Sequence, residues 1–317
     1  MLRSDLCLLL SVCLALASVC RGNARSAPKV EELFGAITTR FAEYEVIVEP
    51  DKDEPEWWAG APSVVRDRNG TFWFACRMRT ADAPRGLRGY EIRILRSDDG
   101  IHFSRVHSIR REDVPIGGFE RPALMIDPRT GRFKLYACGP WKDGPWSILK
   151  FADADEPTRF DPASARAVIT PLPKACDRDV IPGEYKDPFI LHAEGTYHCY
   201  VIGVMRRTER IYHFRSTDSE TWEPVGSPYQ SIMDLTGWHD PVYNIGTGVG
   251  FTFDLHRIMD LTPESPLALS TTPSERFATW RYSHWMWVDG ELWVYAEVAR
   301  PNESNEVRLF RLPKQPR

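Results

Sequence analysis

Three acidic residues sit where the chain is about to become a strand. Asp187 lies in Tyr185-Lys186-Asp187-Pro188, Glu120 in Phe119-Glu120-Arg121-Pro122 and Asp240 in Trp238-His239-Asp240-Pro241. A pair of carboxyl groups facing one another can do acid–base work. One gives a proton to a departing oxygen, and the other activates water or attacks carbon. The acid of such a pair needs its proton near neutral pH, which burial or a neighbouring like charge provides. The Arg121 beside Glu120 favours the ionised form, so Glu120 is expected as base or nucleophile, or else as half of a structural ion pair. Arg77 and Arg79 alternate on one predicted strand and share a face. With Arg121 and Arg281 they offer planar donor forks for a carboxylate, sulfate or phosphate, or they simply offset buried acids. His284 is read as a partner for a hydroxyl or as a core histidine. Trp57, Trp58 and Trp238, in predicted loops, are stacking platforms or packing plugs.

These residues need a scaffold, and the chain repeats one. An apolar run, a Gly turn and an aromatic-rich run recur four times. The copies are Gly60-Ala61-Pro62-Ser63 to Gly70-Thr71-Phe72-Trp73, Glu120-Arg121-Pro122-Ala123 to Gly131-Arg132-Phe133, Lys186-Asp187-Pro188-Phe189 to Gly195-Thr196-Tyr197, and Trp280-Arg281-Tyr282-Ser283 to Gly290-Glu291-Leu292-Trp293. A second part, a strand ending in a Ser/Asp turn and an aromatic, appears as Ser97 to Phe103 and Ser216 to Trp222. Short strands at this spacing predict an all-β fold, a β-propeller. Each first strand then starts at one central mouth, where Glu120, Asp187, Arg281 and Ala61 are expected at the same register.

Blade one is expected over 62–106, blade two over 121–161 and blade three over 187–225. The last hairpin, 280–297, takes Glu306 to Leu312 as a partner, and Tyr44 to Val48 completes its sheet from the N-terminal side. That leaves a short stretch, 228–263, for a degenerate or shortened fourth blade. The count is five blades, or four if this stretch forms none. The propeller is assigned residues 44–317.

The chain has 317 residues, 43% of them hydrophobic, enough for one large core. A net charge of −4 gives no general electrostatic case for nucleic acid. Arg3, the apolar stretch Leu6 to Val19 and Ala15-Leu16-Ala17 form an export signal over 1–22, too short for a membrane span. Export places the protein in the periplasm or outside the cell. Cys20 also admits a lipoprotein, though Ala17-Ser18-Val19 is a poor lipid-attachment box. Residues 23–43 form a linker with a helical stripe over Val30 to Phe41. Beyond the signal, Cys76, Cys138 and Cys199 fall on second strands and are expected as buried free thiols; with Cys176 they match no zinc pattern. No metal, cofactor or membrane span is expected, and the protein is read as a monomer.

On Gly60 to Val65, Arg88 to Glu91 and Asp187-Pro188, the sequence resembles the five-bladed propeller glycosidases: arabinanases, xylosidases, invertases and levansucrases. The resemblance runs over roughly 57–312. It implies a saccharide substrate and hydrolysis by paired carboxyl groups in the funnel. It also implies that Asp187 orients the sugar and raises the pKa of the acid. It implies an acid at the start of blade one, where Gly60-Ala61-Pro62-Ser63 carries none; Glu54 and Glu56 lie just upstream. It implies a further acid on blade four, for which Asp240 is the stand-in. Two other readings remain. One is a carbohydrate-binding propeller without catalysis. The other is a phosphorolytic or sialidase-like propeller using the arginines, although the Ser/Asp turns are one residue short of the sialidase spacing.

Overall fold

The computed structural model describes residues 43–172, 182–205, 209–226 and 280–312. The signal, the linker, Cys176, Trp238, Asp240 and the stretch expected to hold the fourth blade lie outside the described residues, and Arg281 is described by its backbone alone. Within them the regular structure is almost entirely strand, and no helix is long and apolar enough to cross a membrane.

The described strands form four antiparallel units. The first contains β2 (Trp58–Arg66), β3 (Phe72–Arg79), β4 (Gly89–Ser97) and β5 (Ser104–Arg110). The second contains β6 (Ala123–Ile126), β7 (Phe133–Pro140), β8 (Trp146–Lys150) and β9 (Arg166–Ile169). The third contains β10 (Glu184–Ala193), β11 (Thr196–Val204), β12 (Glu209–Ser216) and the two-residue β13 (Glu223–Pro224). The last contains β14 (Trp280–Val288), β15 (Glu291–Ala299) and β16 (Asn305–Leu312), and β1 (Glu45–Val48) pairs with β16 as its fourth strand. The first strands neighbour one another in ring order, β14 against β2, β2 against β6 and β6 against β10. This is the expected propeller arrangement, with the sheet of the last unit completed by the N-terminal strand. Blade two ends later than expected. The chain makes two single-turn helices, Pro157–Arg159 and Pro162–Ser164, before its outer strand β9.

Strand alternation builds the core. On β3, Phe72, Phe74, Cys76 and Met78 face the last unit, where they meet Trp293, Tyr295 and Leu309. Trp73 and Ala75 face the second unit and meet Phe133, Leu135 and Phe151. Tyr136, Ile148, Tyr185, Tyr197 and Val201 fill the interface of the second and third units. A strand buried on both faces reads as a continuous apolar run, as these do. Each large side chain buried there contributes roughly 1.5–3 kcal/mol. Cys76, Cys138 and Cys199 are free, buried thiols. Glu306 and Arg308 are buried neighbours on β16, bonded at 2.7 Å and covered by β1 and the chain around Arg300.

The Ser/Asp turns have one geometry. Ser97 Oγ accepts the N–H groups of Asp99 and Gly100, and Asp99 Oδ1 accepts those of Ile101 and His102, both at 2.8 Å. Ser216 and Asp218 repeat this on Ser219, Glu220 and Thr221. The fourth turn position is left-handed in both, Gly100 at φ 75° and Ser219 at φ 66°.

Candidate active site

Each first strand enters the mouth through a β-bulge. On β2 the register slips between Gly60, opposite Arg77, and Ser63, opposite Ala75. On β10 it slips between Lys186, opposite Ile202, and Phe189, opposite Tyr200. On β14 it slips between Arg281, opposite Glu297, and Ser283, opposite Ala296. Ahead of β6, Glu120 N–H donates to Cys138 O at 2.9 Å, while Ala123 lies opposite Tyr136, so the same slip holds Arg121 and Pro122. A bulge re-aims a side chain, and these positions carry Ala61, Arg121, Asp187 and Tyr282. Ala61 and Asp187 both adopt left-handed backbone, at φ 52° and 54°, which non-glycine residues seldom do.

The expected register is therefore corrected by one residue. Arg121, not Glu120, is the equivalent of Asp187, and Tyr282, not Arg281, is the last blade's contribution. Glu120 matches Gly60, Lys186 and Arg281, the residues before the bulge. A one-residue shift exchanges the two faces of a strand, so the residues flanking each proline do not by themselves show which one faces the mouth.

Directly across from those residues, the second strands place Arg77, Cys138 and Glu297 at equivalent positions. Arg77 is fully buried and bridges two acids. Its Nη1 pairs with Glu120 Oε1, and its Nη2 donates to Glu297 Oε2 at 3.0 Å. Tyr282 donates its hydroxyl to the same Glu120 Oε1 at 3.0 Å. Burial opposes the charge of Arg77, yet Glu120 and Glu297 together raise its pKa above the usual range. Burial, then Asp187 and Glu120, push the Tyr282 phenol well above its ordinary value. Cys138 ties both first strands: its carbonyl accepts from Glu120, and its Sγ accepts the Asp187 N–H at 3.1 Å. Burial holds the Cys138 thiol protonated, and Asp187 adds to this.

Arg121 is buried and donates through Nη2 to Ser283 O at 3.1 Å. Burial lowers its pKa, while the charge of Asp187 acts in the opposite sense. Below it lies a cavity of about 340 Å³, lined by Ser63, Arg121, Leu124, Phe189 and His284 among others. Burial, helped by Arg121, depresses the His284 pKa to about 3, so its imidazole is neutral at ordinary pH.

Among the sequence candidates, Glu120, Arg121, Asp187 and His284 come together around this centre. Arg79 stands apart with its guanidinium 3.8 Å above the Trp58 ring. Trp58 is 3% exposed and donates its indole N–H to Glu303 O at 3.2 Å, so it packs the wall instead of presenting a free face. Trp57 is buried too, and Glu56 pairs with Arg88. Sequence reasoning gave no site role to Tyr282 or Glu297, although both are polar residues of the last hairpin. Their signal was the position across the bulge, which needs the pairing register.

No family model matches the chain, and no curated protein matches it in sequence. Solved structures match its fold. A glycosyl hydrolase from Bacteroides ovatus superposes with a TM-score of 0.54 at 13% identity, over 86% of this chain and 96% of that one. The β-xylosidase RS223 matches with a TM-score of 0.52 at 11% identity, over 87% and 98%. The fructan 1-exohydrolase IIa of Cichorium intybus matches with a TM-score of 0.52 at 12% identity, over 84% and 60%. The chain has the all-β propeller fold of these glycoside hydrolases.

Proposed function

We propose that the protein is an exported glycoside hydrolase acting on an oligo- or polysaccharide, with Glu120 and Asp187 as its paired carboxyl groups. One observation carries this reading. Cys138 bonds the main chains of both acids, its carbonyl accepting from Glu120 N–H and its Sγ from Asp187 N–H, which supports reading them as a pair. Asp187 acts electrostatically on Arg77 and Tyr282, the two groups that hold Glu120, and on Arg121. Glu120, held by Arg77 and Tyr282 with its side chain 17% exposed, is assigned as base or nucleophile. Asp187 is assigned to leaving-group protonation or sugar orientation. Arg121 and His284 are assigned to substrate binding or to holding its floor; the expected parts of Asp240, Trp238 and Arg281 stay proposals.

A second reading has its own support. The first blade brings Ala61 to the mouth, and Glu297 beside it is fully buried. That favours a saccharide-binding propeller without turnover. A panel of aryl glycosides and plant or algal oligosaccharides separates the two. Hydrolysis by the native protein is expected, with Glu120→Gln and Asp187→Asn each lowering kcat by about 10²–10⁴-fold. Normal turnover by both variants would sink the assignment. Binding without hydrolysis by the native protein would favour the second reading.

A further inference from the structure

Three of the four described first strands place a polar side chain at the bulge: Arg121, Asp187 and Tyr282. The fourth places Ala61. Its surroundings are nonetheless acidic, because Glu297 reaches across from β15. Glu297 Oε2 accepts the Ala61 N–H and Arg77 Nη2, both at 3.0 Å, and Oε1 accepts Asn305 Nδ2 at 2.7 Å. Gly60 makes the room. A Cβ on Gly60 would land inside the Glu297 carboxylate, so glycine is required there for space.

We propose that Glu297 is a positioning residue: it fills the space beside Ala61 on β2 and, through Arg77, fixes the orientation of Glu120. The inference rests on the reading of Glu120 as a reacting carboxylate. Glu297 itself does not meet substrate, since it is fully buried and both oxygens are occupied by three protein donors. Its effect passes through the guanidinium. Arg77 is a rigid planar fork, so tying Nη2 to Glu297 sets where Nη1 meets Glu120. The two acids also share one cation.

A double-mutant cycle tests this. Glu297→Gln, Glu120→Gln and the double variant are unfolded in denaturant, in the native background and with Arg77→Met. In the native background the double variant is expected to lose more than the sum of the singles, by about tenfold in the unfolding equilibrium constant, because Arg77 loses both carboxylates. With Arg77→Met that excess disappears. Additive effects in the native background would overturn the proposal, since packing alone gives additivity. Glu297→Gln is also expected to lower kcat at least about tenfold with KM within about twofold of native, because a reacting carboxylate loses its orientation; an unchanged kcat counts against it. Ala61→Asp tests the occupied place. It is expected to lower Tm in the native background and to be better tolerated with Glu297→Gln; equal tolerance in both would overturn the placement. If the native protein hydrolyses nothing, the hydrolase reading falls alone, and the denaturant cycle still decides whether Glu297 couples to Glu120.

Discussion

At the residue scale the mouth is a balance of buried charges with few partners to spare. Arg77 serves Glu120 and Glu297 together, so losing either acid leaves the other with an undivided cation. Two partly buried histidines stay neutral. His284 is held near pKa 3 by burial and Arg121, and His213, stacked on Tyr200 and beside His198, is held at about 4, chiefly by burial. Both bind protons more readily when unfolded, where a histidine titrates at about 6.5. Their neutral form therefore stabilises the fold fully above pH 6.5, and that contribution is lost as pH falls toward 4 and 3. The melting temperature is expected to drop over pH 6.5–4, and His213→Gln or His284→Asn should flatten that slope. A slope unchanged in both variants would mean that neither histidine is the source. The acids Glu120 and Asp187 could be named from sequence because each stands within two residues of a proline at a strand start. Arg77's role could not, because an arginine inside an aromatic strand looks like any alternating polar residue until its neighbour blade is known.

At the element scale the recurring strand and turn were visible because glycine, proline and aromatic spacing is local. The two Ser/Asp turns show the consequence. Their sequences differ at nearly every other position, yet their hydrogen bonds agree within 0.1 Å, since a serine and an aspartate two residues apart close the same loop. Ser97→Ala and Ser216→Ala should each cost about 1–3 kcal/mol, because buried N–H groups lose their acceptor. The turns sit in different blades, so the double variant should be additive within about 0.5 kcal/mol in denaturant titrations. A cost near zero would show that water replaces the hydroxyl. What the elements hid was the bulge. Proline after Ala61, Arg121 and Asp187 marks it, but its extra residues shift the facing set by one. That shift moved the inward position from Glu120 to Arg121 and from Arg281 to Tyr282.

At the scale of the whole molecule, the two ends of the described chain meet in one sheet. β1 pairs with β16, and Asn305 of β16 lies beside Trp58 of β2. Val48 is 7% exposed in the core shared by the last and first units, whereas Val46 on the same strand is 45% exposed. Val48→Asp buries an unpaired carboxylate and should cost on the order of 3 kcal/mol or more. Val46→Asp should stay within about 0.5 kcal/mol. Equal melting temperatures for the two variants would mean that β1 does not close the sheet.

The sequence by itself determined the strands, their turns, the buried thiols and the pairing of the N-terminal strand with the last sheet. The strands, turns and thiols follow from alternation and turn chemistry within short windows, and the pairing of the chain's ends from the need to cover an exposed sheet edge. It also placed acids at two strand starts. Only the tertiary structure decided which of those neighbours faces the centre, that Trp58 is walled in, and that Glu297 stands beside Ala61. The reason is physical. A bulge changes facing without changing composition, and the partners of Arg77 come from two blades, brought together by ring closure over separations of 43 and 220 residues.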